Sequence, residues 1–367
     1  MERTFLQVAR QYWPINLAMA GLVCALFLHS LANGDFVGKT YDMPSRLALF
    51  VLIFWSLLLL TSKELRNLQW GLMLGALVGA VVLCIATGAG SDRPAVVFLT
   101  PIIPFGNVTF LMGALALFSI GWNNPNEKIL IGLKLLAGCA GLYASYLSQT
   151  RGAWIAVPVF FVFAMAVVKS IPTRHKVASL MLLAVLLATF YTASDVVQTR
   201  IEAAQSDIDQ YLDGSNRDTS VGIRFQLWKG SWLLFQEHPF FGVGVEQYRH
   251  SLKELAARHV ITPEAATYGH AHNDILFGMS TLGIFGMFAI LALYVVPAFY
   301  FFRGLRHADA EVRTVASMGL VLVAGFFVFG LTEVMFFHWT ANHAFYSMMM
   351  AVLFAHMVKR KAEVSSK

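Results

Sequence analysis

Apolar runs of membrane-crossing length recur along most of this chain, with charge confined largely to the segments between them. That pattern constrains the fold more than any motif. A backbone surrounded by hydrocarbon must satisfy its own hydrogen bonds, and about 20 residues of helix cross a core roughly 30 Å thick. The runs are continuous rather than alternating, so a β-barrel is excluded. Of the 367 residues, 57% are hydrophobic and 13% charged, too little charge to coat a soluble domain of this length. The expected class is all-α, a polytopic helical membrane protein. About ten spans are expected, near 14–32, 46–62, 68–88, 104–121, 129–147, 152–168, 177–193, 275–302, 314–331 and 343–358. The first reads as an uncleaved span rather than a signal peptide, because more of the same kind follows.

Orientation follows from the cations beside those spans. Arg3 and Arg10; Lys63 and Arg66; Lys128; Lys169, Arg174 and Lys176; Arg303, Arg306 and Arg313; and Lys359, Arg360 and Lys361 occupy alternate connections. Cytoplasmic segments carry such a bias, which places both termini inside. The net charge of +6 is explained by it and calls for no nucleic-acid partner. Cys24, Cys84 and Cys139 sit in apolar runs and read as small hydrophobes, with neither disulfide nor zinc spacing.

The opposite face collects the turn 148–151, the long connection 195–273 and the loop 332–342. The chain therefore divides into an N-terminal bundle (1–194), a loop subdomain (195–273) and C-terminal helices with a tail (274–367), all within one membrane domain. Helical spacing of Val197, Ile201, Ala204, Ile208 and Tyr211, and of Phe225, Trp228, Trp232 and Phe235, predicts two short helices in the loop. Arg224 lies beside the second, aromatic face.

Chemistry concentrates at Gly269-His270-Ala271-His272-Asn273-Asp274, at the lip of an apolar run. Imidazole titrates nearest neutrality and suits proton transfer. His270 and His272 also have the spacing of a metal pair, but no third ligand stands at metal-like spacing. Asn273 and Asp274 read equally as caps of the following helix, and Gly283 and Gly286 as places where a neighbouring helix approaches closely. Arg151, an arginine against the orientation bias, reads as a phosphate ligand or as a side chain reaching lipid headgroups. Arg224 carries the same two readings. Glu333, followed by His338, Trp339 and His343, either orients a base, pairs with an arginine, or is an ordinary helix-end carboxylate. Asp207-Ile208-Asp209 matches a nucleotide-sugar pattern but falls on the polar side of a helix, where a solvated face explains it.

In order, Ser148-Gln149-Thr150-Arg151-Gly152-Ala153, Gly222-Ile223-Arg224, His238-Pro239-Phe240-Phe241-Gly242-Val243-Gly244, His272-Asn273 and Gly283-x-x-Gly286 resemble the O-antigen ligase family. That group also holds O-antigen polymerases and some protein O-oligosaccharyltransferases. The resemblance covers about 148–290 and extends weakly to Leu331-Thr332-Glu333. It implies an integral-membrane glycosyltransferase of the bacterial inner membrane, working at the periplasmic face. The implied donor is a glycan on undecaprenyl diphosphate and the implied acceptor a sugar hydroxyl of lipid A–core. It assigns His272 as general base, Arg151 and Arg224 as diphosphate ligands and His270 as an accompanying histidine. Asn273 and Glu333 join the substrate-binding set, and no metal or cofactor is implied. The chain departs from the family in showing about ten spans where about twelve are usual, and Glu333 matches only in residue type. A polymerase, which more often has two large periplasmic loops, and a protein-glycosylating enzyme are the alternatives within the class. A transporter of lipid-linked sugars is the alternative outside it. Transporters favour mid-span charges and repeats, whereas here the charges gather at one face.

Overall fold

The computed structural model describes residues 5–90, 94–97, 100–123, 126–167, 172–337 and 340–366; the side chains of Arg151, Phe190, Thr340 and Ala341 lie outside this description. Among the described residues the chain is helical apart from one antiparallel hairpin, β1 (Val96–Val97) with β2 (Thr100–Pro101). The N-terminal part runs α1 (Phe5–Gln11), α2 (Trp13–Asn33), α3 (Gly38–Ala48), α4 (Phe50–Leu57), α5 (Ser62–Leu65) and α6 (Leu68–Ala86). It continues with α7 (Ile102–Phe118), α8 (Lys128–Ser148), α9 (Arg151–Val167) and α10 (Thr173–Ala193). Three helices fill the long connection: α11 (Asp195–Asp213), α12 (Ser220–Glu237) and α13 (Tyr248–Ala257). The chain closes with α14 (Asp274–Gly304), α15 (Ala310–Gly330) and α16 (Thr340–Ser365).

Seven helices among the described residues are long and apolar enough to cross a membrane, ranging from Trp13–Asn33 to Ala310–Gly330. This is an all-α, multi-pass membrane protein. The other three expected spans differ for local reasons. The 46–62 run starts earlier, at Gly38, and is bent at Leu49, whose N–H still reaches Ser45 O at 3.1 Å. A reciprocal capping box between Thr61 and Glu64 then starts α5. α9 is only 17 residues long, and α16 carries Asn342, His343 and His356 inside it.

The centre of the bundle is aromatic. Phe326 stacks on Phe336 at 5.5 Å and meets Tyr346 at 4.6 Å, and all three are fully buried. Burying rings of this size supplies the largest apolar contribution per side chain.

One feature of α14 places the site. Gly283 has φ 64° and ψ −150°, a conformation only glycine adopts without strain, and the helix breaks there. The loop after α12 seals the break. Val243 N–H donates to Ser280 O at 2.9 Å, Gly244 N–H to Thr281 O at 2.8 Å, and Ile284 N–H to Pro239 O at 2.8 Å. A Cβ on Gly283 would lie 2.2 Å from Phe240 O, and one on Gly242 2.3 Å from Thr281 C. The motifs 238–244 and 283–286 are thus two halves of one joint. The sequence reading of Gly283 and Gly286 as a helix–helix contact is corrected: Gly283 meets a loop, and Gly286 lies against Gly278 O of its own helix.

Candidate active site

At one end of the bundle α14 begins, α15 ends and α9 begins, and these termini converge. Asn273 is the N-cap of α14: its Oδ1 accepts from Leu276 N–H at 3.0 Å, while its Nδ2 donates to Leu331 O at 3.3 Å. Both ends of this amide are engaged inside the protein. Asp274, fully buried, does more than cap. Its Oδ1 accepts from Met335 N–H at 2.8 Å and Phe336 N–H at 3.1 Å, and its Oδ2 from Tyr294 O–H at 2.9 Å. A buried carboxylate is tolerable only with such a full set of donors. These bonds lash the segment after α15 to the start of α14.

The result is a three-residue constellation. Glu333 Oε2 lies 3.4 Å from His272 Nδ1, and Oε1 lies 3.8 Å from His270 Nδ1. The two imidazole rings meet edge to face at 4.2 Å, and Tyr268 borders His272 at 5.7 Å. His272 has φ 49°, left-handed backbone that is uncommon outside glycine and gathers at functional sites. Glu333 is buried, and burial, the largest influence, raises its carboxyl pKa. The adjacent imidazole of His272 and its charge, the charge of His270 and the Val334 N–H outweigh it together and hold the pKa at about 2. A fixed negative charge therefore faces the two histidines.

The ligand atoms of His270, His272 and Glu333 all lie within 4.8 Å of one another, so these three residues are the group able to hold a metal ion among the described residues. The third ligand comes from the far side of α14 and α15, which is why local spacing did not disclose it.

The arginines are placed less uniformly. The side chain of Arg151 lies outside the described residues, as do His338 and Trp339. Its helix is located nonetheless: a Cβ on Gly152 would stand 3.1 Å from Thr332 Oγ1, so α9 starts beside the residue preceding Glu333. Gln149, in left-handed conformation at φ 50°, accepts from Arg200 Nε at 2.9 Å, a tether from α11 that the sequence did not reveal. Arg224 sits on α12, with Trp228 one turn on. Arg224 Nε and Trp228 Nε1 are both buried and hydrogen-bond to nothing among the described residues. Asp207 has a structural role, its carboxylate accepting from Val221 N–H at 3.1 Å at the start of α12. His343 is buried, its ring 6.5 Å from that of Phe336.

Residues 135–291 match the family model described as O-antigen ligase. Over that stretch, which is less than half of its length, the chain is similar to the O-antigen ligase family. An O-antigen ligase of Escherichia coli K12 is 28% identical over 217 residues, 58% of this chain and 51% of that protein. An uncharacterized protein of Haemophilus influenzae Rd is 26% identical over 338 residues, 89% of this chain and 82% of that one. The O-antigen ligase match takes in Arg151, Arg224, His270, His272 and Asn273 and the joint at Gly283, and stops before Glu333. The family is one of glycosyltransferase-type ligases.

Proposed function

We propose that this chain transfers a glycan from undecaprenyl diphosphate to a sugar hydroxyl of lipid A–core, at the periplasmic face of the inner membrane. The observation that carries the reading is the carboxylate of Glu333 set against Nδ1 of His272. A carboxylate there favours the tautomer with hydrogen on Nδ1 and leaves the Nε2 lone pair to act as base. His272 Nε2 takes the proton of the acceptor hydroxyl as its oxygen bonds to the anomeric carbon. The bond from that carbon to the diphosphate oxygen breaks, and its electron pair stays on the diphosphate. The single displacement inverts the anomeric configuration. Glu333 offsets the charge gained by the imidazole. Arg151 and Arg224 bind the diphosphate and stabilise the charge gained by the leaving group, a contribution often the largest in such reactions. The Nε of Arg224, which has no hydrogen-bond partner among the described residues, and the start of α9 beside Thr332 support that assignment, since helix N-termini favour anions. No metal is needed in this scheme.

The test is transfer by purified protein between undecaprenyl-diphosphate-linked glycan and lipid A–core, read as a gel shift, with His272→Ala alongside. Positioned general bases contribute about 10² to 10⁴ in rate, and a loss of that size is expected. Full transfer by His272→Ala would remove the base assignment. Chain lengthening on undecaprenyl diphosphate with bare lipid A–core would make the protein a polymerase, and substrate flux without bond formation a transporter.

A further inference from the structure

A third arginine stands at the site without a role in that scheme. α13 is held firmly along one face. Tyr248 is fully buried, shares a 2.8 Å hydrogen bond with Ser231 and packs its ring 4.9 Å from Phe277, while Leu252 and Leu255 are fully buried. The other face presents Arg249, His250, Lys253 and Glu254. His250 and Glu254 pair with each other at 3.3 Å. Arg249 and Lys253, one turn apart, make neither hydrogen bond nor ion pair among the described residues.

Arg249 is nevertheless placed. Its guanidinium lies over Gly269: a Cβ there would meet Nη2 at 3.3 Å, with Cζ and Nε each at 4.0 Å. Gly269 directly precedes His270, so this cation borders the histidine pair from α13. The start of α9, with Arg151, borders it by way of Thr332 and Glu333. Two elements from different parts of the chain, α13 and the start of α9, therefore neighbour the segments that carry the histidines and Glu333.

Their settings suit different anions. The donor's diphosphate is bonded to the reacting carbon, so its ligands belong at the reacting centre. Phosphates on a glycolipid acceptor sit on other sugars than the one offering the hydroxyl, so their ligands belong at the rim. Arg249 and Lys253 are exposed, on the rim, and paired with no acid among the described residues. A guanidinium stays charged at all working pH and takes phosphate oxygens two at a time.

We propose that Arg249, with Lys253 one turn on, binds a phosphate group of the acceptor and so brings the accepting sugar to His272. This rests on the transferase reading above. The test is equilibrium binding by the full chain in detergent, comparing lipid A–core with the same material stripped of phosphate by a phosphatase. Wild type, Arg249→Ala, Arg249→Lys and Gly269→Ala are compared. Loss of one charge-assisted contact at a partly exposed position weakens binding about tenfold, and that is expected for Arg249→Ala with the intact acceptor. Arg249→Lys should recover part of the loss. Gly269→Ala, which crowds the guanidinium without removing it, should fall between wild type and Arg249→Ala. With the stripped acceptor the four proteins should bind alike and weakly, and donor affinity should be unchanged throughout. Equal binding of intact acceptor by wild type and Arg249→Ala would overturn the proposal. So would an equal loss with stripped acceptor, or a loss confined to the donor, which would put Arg249 in the diphosphate set. Because binding is read rather than turnover, a wild type that binds without transferring counts against the transferase reading alone.

Discussion

Glu333→Gln isolates the charge at the centre of the site. The amide keeps the side chain's shape, and its oxygen can still accept from Val334 N–H, which lies 3.0 Å from Oε1. What goes is the negative charge 3.4 Å from His272 Nδ1. Holding the carboxyl at about 2 rather than 4.5 corresponds to roughly 3 kcal/mol in favour of the ionised form, at 1.36 kcal/mol per unit. That preference is what remains after the opposing effect of burial, and it is shared with His270 and the Val334 N–H, so it sets the scale of what an imidazolium at His272 can recover rather than a limit. The expected loss in kcat is on the order of 100-fold, at the low end for a positioned base. Transfer rates should be measured from pH 5 to 9 beside His272→Ala, with detergent melting curves as a check on folding. The acid limb of the profile should move to lower pH, because the protonated site loses its counter-charge. Stability carries the same signature. A carboxyl depressed in the fold contributes fully above its unfolded value near 4.5, and that contribution is lost as pH falls toward about 2. Glu333→Gln should flatten this window. A variant that keeps its fold, transfers within threefold of wild type and shows an unmoved profile would refute the reasoning.

Three further outcomes follow from the geometry. Asp274→Ala strands two buried N–H groups and leaves the Tyr294 hydroxyl only Phe326 O, at 3.4 Å, as acceptor; it should cost about 3–5 kcal/mol, seen as a large drop in melting temperature or loss of extractable protein. Gly283→Ala forces a Cβ to within 2.2 Å of Phe240 O in a conformation closed to alanine. At least about 2 kcal/mol of destabilisation is expected, and wild-type melting would show the joint to be plastic. Chelation by EDTA should leave transfer unchanged. Loss on EDTA treatment restored by zinc would mean that His270, His272 and Glu333 work as a metal site instead.

The helical class and the positions of most helices were legible in the sequence because hydrocarbon leaves so few alternatives for a backbone. The two loop helices were legible from aromatic and aliphatic spacing alone. His270 and His272 stood out by residue type. Glu333 was singled out too, with orienting a base among its readings, but its pairing with these two histidines was not legible, because it is brought to them only when Asp274 binds the backbone of Met335 and Phe336, a contact between distant stretches. Asp274 itself looked like a cap, since a carboxylate at a helix start is ordinarily one. Gly283 and Gly286 were singled out correctly and explained wrongly: a helix break leaves the same glycine signature as a close helix crossing. Arg249 had no signal at all, being one cation among several on a polar helix face.

The short piece of α14 between Asn273 and Gly283 is fastened at both ends, by the 331–336 segment at its start and by the 239–244 loop at its break. Such a piece cannot tilt or slide unless one clamp opens. His270 and His272, which lead directly into it, are therefore carried on a fixed anvil, and adaptation falls to parts tied less tightly. Among the described residues α10 has no buried side chain, and α11 buries only Val197. Movement of these two helices would leave the anvil where it is.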